Sequence, residues 1–433
     1  MTTSFRQRRV AASIAIALST LYIQSTTVSS FEVPFPQTSA EIRDSAVLTQ
    51  DLLATTVSTP PSPKSPSLPL PVTRSVQLDS GTRAEVISCS PKKSPSNFLS
   101  FLLGSGKEKA VKPVLVFLHG SFHASWCWAE YYMPYFAGFG YECVAFSLQG
   151  TGGTLGEFLI SLLHLACMFF ALTRCTFHTS AIPEGIKKVK IANHVADLDS
   201  FLRALSNKTN NNLGLDLGDI PRVVLIGHSF GGLTIMKWLE KNYSSNYADK
   251  NEINLAGVGL MCSVPPSGNG PMTLRYLLRS LSDSWKITVG FAMKKAIVDK
   301  QLCRELFFGG DVADSGVSDE DLERYQSYFE RDTVTTIDLS DLAGTLPSLR
   351  VDKESRNAPF VNELKKLPLK PFVVGAKDDF IVDTEGVEET AKYLGLDVDE
   401  VKIVDSPHDV MLGRKWQNGA DAILDWIRDS TVN

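Results

Sequence analysis

Residues 222–232 read RVVLIGHSFGG, and this stretch decides the fold class that the sequence predicts. Its apolar part, 223–226, is typical of a strand that is buried on both faces of a parallel sheet. The residues from 231 to 241 have the apolar spacing of an amphipathic helix. The stretch therefore predicts a strand, a tight turn around Ser229 and a helix, in that order.

Strand and helix patterns alternate on both sides of this stretch. The predicted strands are a hairpin within 72–88, then 114–118, 142–147, 256–261, 371–374 and 401–404, and the helical patterns are 126–139, 193–205, 387–394 and a last helix ending near Arg428. Such alternation predicts an α/β fold with a mostly parallel central sheet and helices on both faces. In sheets of this kind, ligands bind beyond the carboxyl ends of the strands.

The segment GHSFG, residues 227–231, resembles the nucleophile elbow of the α/β-hydrolase family. The elbow needs its two glycines because the turn is so tight that side chains there would collide. The resemblance implies an α/β-hydrolase fold and a serine hydrolase of the esterase and lysophospholipase type, with Ser229 as nucleophile. Epoxide hydrolases and haloalkane dehalogenases have an aspartate at the position of Ser229, which disfavours those two activities.

A serine hydroxyl is a weak nucleophile, so it needs a base and an acid that fixes the tautomer of that base. In the family's chain order, the acid and then the base follow the nucleophile. His408 comes directly after the last predicted strand, where the family has its base. The resemblance favours Asp378, three residues after Gly375, as the acid, while spacing leaves the adjacent Asp379 as the alternative.

The family stabilises the oxyanion with two backbone amides. One is the amide of Phe230, directly after the nucleophile. The resemblance assigns the other to Ser121 in the loop after the strand 114–118, with Phe122 as the near alternative. His119 is expected to support this loop without touching substrate.

Two insertions could shape the substrate pocket. Residues 267–365 are far longer than an ordinary connection and occupy the family's position for a lid, so they predict a helical cap. Within it, residues 273–281 and 285–308 have helical spacing, and 318–321 is typical of a helix N-terminus. The apolar segment 155–179 has three interpretations, which are a buried cap helix, a translated intron and, less favoured, a helix that contacts a membrane.

The amino-terminal region is expected to lie outside the catalytic domain. Residues 1–30 have the basic start, apolar run and small-residue end of a secretory signal peptide. Residues 31–71 are rich in Ser, Thr and Pro, and their proline-rich part, 56–71, cannot form a packed core. Together they resemble the bipartite plastid leader of some algae, with plain secretion as the competing prediction, and they place the hydrolase domain at 72–433.

Composition excludes several classes of function. With 43 Lys and Arg against 48 Asp and Glu, the net charge of −5 gives no reason to expect a nucleic-acid partner. The seven cysteines have no CxxC pair, which predicts buried thiols in place of a disulfide framework or zinc site. No cofactor, metal or specific protein partner is implied, and the expected substrate is a small-molecule or lipid ester.

The same resemblance leaves other functions open. Thioesterases, acyltransferases and peptidases share the triad and differ in the pocket and lid. A protein of this fold can also use its pocket as a receptor without catalysis. The apolar cap favours a lipid or acylglycerol ester among the candidate substrates.

Overall fold

The computed structural model describes residues 68–92, 112–153, 188–206, 221–243, 253–292, 294–310, 312–347, 358 and 360–429. They belong to one compact unit, Ser67–Asn433, whereas the other unit, Met1–Pro66, lies outside the described residues. The predicted signal peptide 1–30, most of the segment 31–71 and the insertion 155–179 also lie outside them. Those interpretations stay predictions.

An eight-stranded sheet forms the centre of the unit, in the order β1-β2-β4-β3-β6-β7-β9-β10. Its strands are β1 (Val72–Gln77), β2 (Arg83–Cys89), β3 (Val114–Leu118), β4 (Cys143–Phe146), β6 (Val223–His228), β7 (Leu255–Met261), β9 (Phe372–Asp378) and β10 (Lys402–Pro407). β1 and β2 pair with each other, and β2 with β4, in antiparallel fashion; all the other pairs are parallel. Two short strands, β5 (Lys188–Val189) and β8 (Thr336–Ile337), form a separate parallel pair.

Helices connect and cover these strands. The described α-helices are α1 (Trp126–Ala129), α2 (Tyr132–Gly138), α3 (Ile191–Ser206), α4 (Phe230–Asn242), α5 (Asn269–Arg279), α6 (Leu281–Lys286), α7 (Lys300–Cys303), α8 (Val312–Ser315), α9 (Asp319–Asp332), α10 (Leu339–Thr345), α11 (Val361–Leu364), α12 (Thr384–Tyr393) and α13 (Trp416–Asp429). All residues of β3, β6 and β7 are buried, as expected for central strands covered on both faces. The predicted α/β-hydrolase fold is therefore confirmed.

One part of the predicted cap, residues 281–308, contains several short helices in place of a long one. The expected helix across 285–308 is divided into α6, a π-helix (Ile287–Ala292), a 3-10 turn (Lys295–Ile297), α7 and a second π-helix (Arg304–Phe308). The break has local causes, because Lys294 is left-handed with φ 58° and Asp299 starts α7 by accepting a hydrogen bond from the Leu302 amide. Ser318 caps α9 in the same way, accepting from the Asp321 amide, as its sequence predicts.

Two further features bear on the sequence predictions. The five cysteines within the described residues are free and buried, which agrees with the prediction of buried thiols. In the part of the chain that the structure describes, every helix is too short or too polar to cross a bilayer.

Candidate active site

Ser229 occupies the turn between β6 and α4 in a strained conformation. Its φ is 51° and its ψ −119°, a region that is costly for any residue with a Cβ atom. Neighbouring backbone holds it there, since its N–H donates to the Met261 carbonyl at 3.0 Å and its carbonyl accepts from the Val264 amide at 3.1 Å. This is the geometry expected of a nucleophile elbow.

Glycines allow the elbow and the loop after β3 to approach each other. A Cβ atom at Gly231 would lie 2.5 Å from the carbonyl oxygens of both Leu118 and His119. A Cβ atom at Gly120 would lie 2.7 Å from the Cβ of Ser229. The loop after β3 is therefore in direct contact with the elbow, where the sequence predicts an oxyanion site.

The imidazole of His408 is buried and hydrogen-bonded to a carboxylate. Its Nδ1–H donates to both carboxylate oxygens of Asp379, each at 2.9 Å. This leaves Nε2 as the nitrogen that can accept a proton. Burial lowers the pKa of His408, whereas the charge and hydrogen bond of Asp379 and the charge of Asp409 raise it, and the net pKa lies above the ordinary value of 6.5.

The structure places Asp379 against His408, in place of the favoured Asp378, and so corrects that preference. The side chain of Asp378 is 47% exposed and contacts Lys415 at 3.3 Å, whereas that of Asp379 is 1% exposed. Asp378 ends β9, where successive side chains point to opposite sides. One of two adjacent aspartates therefore faces solvent while the other faces His408.

Several donors hold the Asp379 carboxylate in place. The backbone amides of Ile381 and Val382 both donate to its Oδ1 at 2.8 Å. The Cys262 thiol also hydrogen-bonds this carboxylate, and burial, together with the charge of Asp379, raises the thiol pKa well above its ordinary value. The thiol is therefore a neutral donor in this site.

Contacts of His228 bring His408 close to the turn that contains Ser229. His228 precedes Ser229 in the chain, and its Nε2–H donates to the His408 carbonyl oxygen at 3.0 Å. The two rings have centroids 4.8 Å apart. Burial, reinforced by neighbouring histidines, lowers the pKa of His228 well below 6.5, so it is a neutral structural donor. The described contacts thus place the loops of Ser229 and His408 side by side.

The candidate oxyanion donors lie on the two segments that meet at Ser229. Phe230 is the first residue of α4, where backbone amides have no partner within the helix. On the loop after β3, the carbonyls of Gly120 and Ser121 each accept a hydrogen bond from a histidine ring. Both the Ser121 amide and that of Phe122, which has φ 68°, belong to this loop.

His119 supports this loop, as its sequence position predicts. Its Nδ1–H donates to the Gly120 carbonyl at 2.8 Å, and its Nε2 accepts from the Leu148 amide at 2.9 Å. Burial lowers the pKa of His119 to about 4, so the ring is neutral near neutral pH. A neutral ring with one donor and one acceptor matches both contacts.

Aromatic side chains from the predicted cap pack on the oxyanion loop. The ring of Phe122 lies 5.5 Å from that of Phe307 and 5.9 Å from that of Phe329, measured between centroids. Phe307 belongs to the second π-helix and Phe329 to α9. The surroundings of the loop are therefore strongly apolar on this side.

A buried aspartate at the end of α9 links this helix to two loops at the carboxyl end of the sheet. Asp332 accepts from the Trp126 indole N–H at 3.0 Å and from the Gly152 amide at 2.7 Å. It also pairs with Arg331. These bonds connect α9 to the loops that follow β3 and β4.

Two groups of potential metal ligands occur at the site. The ligand atoms of His228, His408 and Asp409 lie within 4.8 Å of one another, and so do those of Cys262, Asp379 and His408. Both groups share His408, whose Nδ1–H is already donated to Asp379. In the second group, the hydrogen bonds of Asp379 with His408 and Cys262 account for the short distances.

Sequence reasoning missed four side chains of this site, namely Cys262, His123, His228 and Asp409. His228 and Asp409 are chain neighbours of the nucleophile and the base, which is a usable signal. His123 belongs to the short segment HGSFH, and its spacing from His119 could have drawn attention. Nothing in the sequence pattern marks Cys262, because its role depends on the neighbouring strand β9.

Comparison with known families gives the class of the protein. The model of the α/β hydrolase family matches residues 115–417, which include all the site residues described above. The chain therefore belongs to the α/β hydrolase family, and it is a hydrolase in the broad sense of that family. A comparison with curated protein sequences finds no significant match.

The chain is also similar, at low sequence identity, to several solved structures. An esterase from Exiguobacterium antarcticum is 14% identical over 82% of this chain and 100% of its own, with a TM-score of 0.47. A 2-hydroxy-6-oxo-6-phenylhexa-2,4-dienoate hydrolase from a Rhodococcus species is 16% identical over 83% of this chain and 99% of its own, with a TM-score of 0.48. A laboratory-evolved variant of potato epoxide hydrolase is 16% identical over the same shares, 83% and 99%, with a TM-score of 0.50. At these identities the likeness concerns the fold alone.

Proposed function

We propose that the protein hydrolyses a carboxylic ester through an acyl-enzyme on Ser229. The observation that carries this proposal is that His228, directly before the strained Ser229, hydrogen-bonds to His408, whose buried imidazole donates to Asp379. A serine, an imidazole and a carboxylate in this order are the parts needed to activate a hydroxyl. Serine at the elbow, where epoxide hydrolases have aspartate, favours the ester over the epoxide.

The proposed reaction has two acyl-transfer steps. Ser229 Oγ attacks the ester carbonyl while His408 Nε2 takes the hydroxyl proton, and Asp379 stabilises the imidazolium that forms. The tetrahedral intermediate collapses, the C–O bond to the alcohol breaks, and His408 gives its proton to the departing alkoxide. A water molecule then attacks the acyl-enzyme with His408 as base, which releases the acid and restores Ser229.

Backbone amides stabilise the negative oxygen in both steps. The amide of Phe230 is one proposed donor, and an amide of Ser121 or Phe122 is the other. Both candidates on the second segment lie in the loop that contacts Ser229. Such donors are aligned before the reaction and do not have to reorganise when charge develops.

The substrate class is inferred from an aromatic cluster beside the oxyanion loop. Phe122, Phe307 and Phe329 are buried and pack together there. Apolar surroundings of this kind favour an acyl or alcohol group that is itself apolar. We therefore propose a lipid or acylglycerol ester as the substrate class.

The test combines covalent labelling with ester hydrolysis. Wild-type protein should react with a fluorophosphonate probe and hydrolyse p-nitrophenyl esters, with a preference for longer acyl chains. Ser229→Ala should lose labelling and reduce kcat by at least about 10⁴-fold, because the acyl-enzyme cannot form. Circular dichroism and thermal unfolding check that the variant is folded.

The matched control is Ser263→Ala, a neighbouring buried serine that hydrogen-bonds to the Val264 carbonyl. It should keep labelling, since Ser263 has no part in the proposed chemistry. Absence of a Ser229-dependent adduct in folded wild-type protein would contradict hydrolysis and favour a receptor of the same fold. A flat response to acyl-chain length would contradict the lipid-ester class alone.

A further inference from the structure

Two histidine rings hold two consecutive peptide units of the loop after β3. His119 Nδ1–H donates to the Gly120 carbonyl and His123 Nδ1–H donates to the Ser121 carbonyl, both at 2.8 Å. All described peptide bonds are trans, and in a trans peptide the carbonyl and the next N–H point in opposite directions. The first bond therefore sets the direction of the Ser121 N–H, and the second sets that of the Phe122 N–H.

These two N–H groups are the candidate oxyanion donors of this loop. Phe122 has φ 68°, a costly conformation that persists when surrounding contacts impose it. The hydrogen bond from His123 acts on the peptide unit directly before Phe122. The ring of His123 is thus in a position to impose this conformation.

The other nitrogen of His123 connects the loop to the residue after the base. Nε2 lies 3.0 Å from Oδ2 of Asp409, and both side chains are 0% exposed. Asp409 directly follows His408, and its own N–H donates to the Phe307 carbonyl at 3.1 Å. One buried pair therefore connects the oxyanion loop, the base loop and the second π-helix.

The atoms that His123 faces determine where the protons of the His123–Asp409 pair lie. Nδ1 faces a carbonyl oxygen, which can accept but not donate, so Nδ1 carries a proton. The contact between Nε2 and Oδ2 holds a second proton, which either atom can carry. A buried polar pair of this kind is costly to desolvate. Holding the loop after β3 in place therefore explains the pair better than a gain in folding stability does.

We propose that His123 and Asp409 form a positioning pair that orients the Ser121–Phe122 peptide and fixes the oxyanion loop relative to the His408 loop. The proposal rests on the proposed serine-hydrolase function. Neither side chain touches the substrate. Because oxyanion donors act mainly on the transition state, disturbing the pair should lower kcat and leave KM nearly unchanged.

Two substitutions at residue 123 separate the two hydrogen bonds. In His123→Asn, the amide nitrogen takes the place of Nδ1, which keeps the bond to Ser121 and loses Asp409. In His123→Gln, the amide reaches toward Asp409 and loses the bond to Ser121. We expect kcat to fall by about tenfold in His123→Asn and by about 10²-fold in His123→Gln, with KM within about threefold of wild type.

An arylboronic acid gives a readout that a merely structural role would not change. It forms a tetrahedral adduct on the nucleophilic serine, so its inhibition constant should rise in parallel with the fall in kcat/KM. Activity is expressed per folded molecule, with the folded fraction measured by thermal unfolding. Asp409→Asn keeps the shape of the pair and should retain more kcat than Asp409→Leu, which supplies the test if a residue 123 variant does not fold.

The possible results distinguish a failure of the positioning role from a failure of the proposed function. A lowered melting temperature with unchanged kcat and boronate affinity per folded molecule would overturn the positioning role and leave the proposed function standing. A KM that rises while kcat stays constant would also overturn it. Folded wild-type protein that neither labels at Ser229 nor hydrolyses esters would overturn the proposed function and this inference together.

Discussion

The nucleophile turn and the acid loop have the same origin, because each follows the carboxyl end of a buried parallel strand. They differ in what selects the functional residue. At Ser229, neighbouring glycines and a strained backbone leave one residue that can be presented. In the acid loop, two identical carboxylates follow one another, and what separates them is which side of β9 each one faces.

The difference shows that a steric requirement can be recognised from the residue type, whereas the direction in which a side chain faces cannot. The backbone carbonyls of Leu118 and His119, at the end of β3, exclude a Cβ atom at residue 231. The glycine at this position is the sign of that exclusion in the sequence. Nothing in the residue type records that Asp379 accepts from Ile381 and Val382 while Asp378 contacts Lys415. Which of the two aspartates meets His408 is therefore decided by the folded loop.

The largest expected effect comes from the two aspartates. Asp379→Asn should lower kcat by about 10⁴-fold, because an amide no longer stabilises the imidazolium and can favour the wrong tautomer of His408. Asp378→Asn should stay within about threefold of wild type, since an exposed contact with Lys415 has little influence on the site. Steady-state hydrolysis of a p-nitrophenyl ester measures both.

This pair of variants is its own control, since the substitutions are chemically identical and adjacent. Equal losses would mean that both carboxylates act on His408 and would contradict the assignment. A greater loss in Asp378→Asn would restore the preference that the family spacing suggests. Thermal unfolding separates either result from a general loss of structure.

Much of the fold could be predicted because strong local patterns carry it. The five apolar residues of β3 and the glycine-bounded turn after β6 fix strands and elbow without reference to the rest of the chain. The position of His408 at this site was also predictable, since it follows the last strand of the sheet. Predicted helix limits near the cap were wrong where the left-handed Lys294 and the cap at Asp299 interrupt the chain.

The supporting side chains could not be predicted in the same way. His123 and Asp409 are separated by nearly the whole domain in sequence, and their contact exists because β3 and β10 end at the same edge of the sheet. Cys262 reaches Asp379 for the same reason, from the loop after β7. Sequence position alone names the strand ends, and packing determines which side chains meet there.

A second prediction tests whether the nucleophile turn requires glycine at residue 231. Gly231→Ala should reduce the free energy of unfolding by about 2–3 kcal/mol, because the new methyl group would meet two backbone carbonyl oxygens at 2.5 Å. Gly344→Ala is the matched control on the exposed part of α10, where an added Cβ meets nothing within 4 Å. It should stabilise the protein by about 0.5–1 kcal/mol. Urea unfolding measures both, and equal effects would show that the elbow tolerates a side chain.

The smallest expected effect is the pH dependence of His408, which tests the electrostatic side. His408 accepts a proton when neutral. Burial lowers its pKa, but the charge and hydrogen bond of Asp379 and the charge of Asp409 raise it, so that the pKa lies above 6.5. kcat/KM should therefore fall by about tenfold for each pH unit below that pKa. In Ser229→Ala protein with ¹³C-labelled histidine, NMR should give the same pKa, and adding Asp379→Asn should move it downward because burial then acts with less opposition. An unchanged pKa of His408 in the Asp379→Asn variant would show that Asp379 does not raise this pKa. Asp378→Asn is the control and should leave the pKa of His408 unchanged.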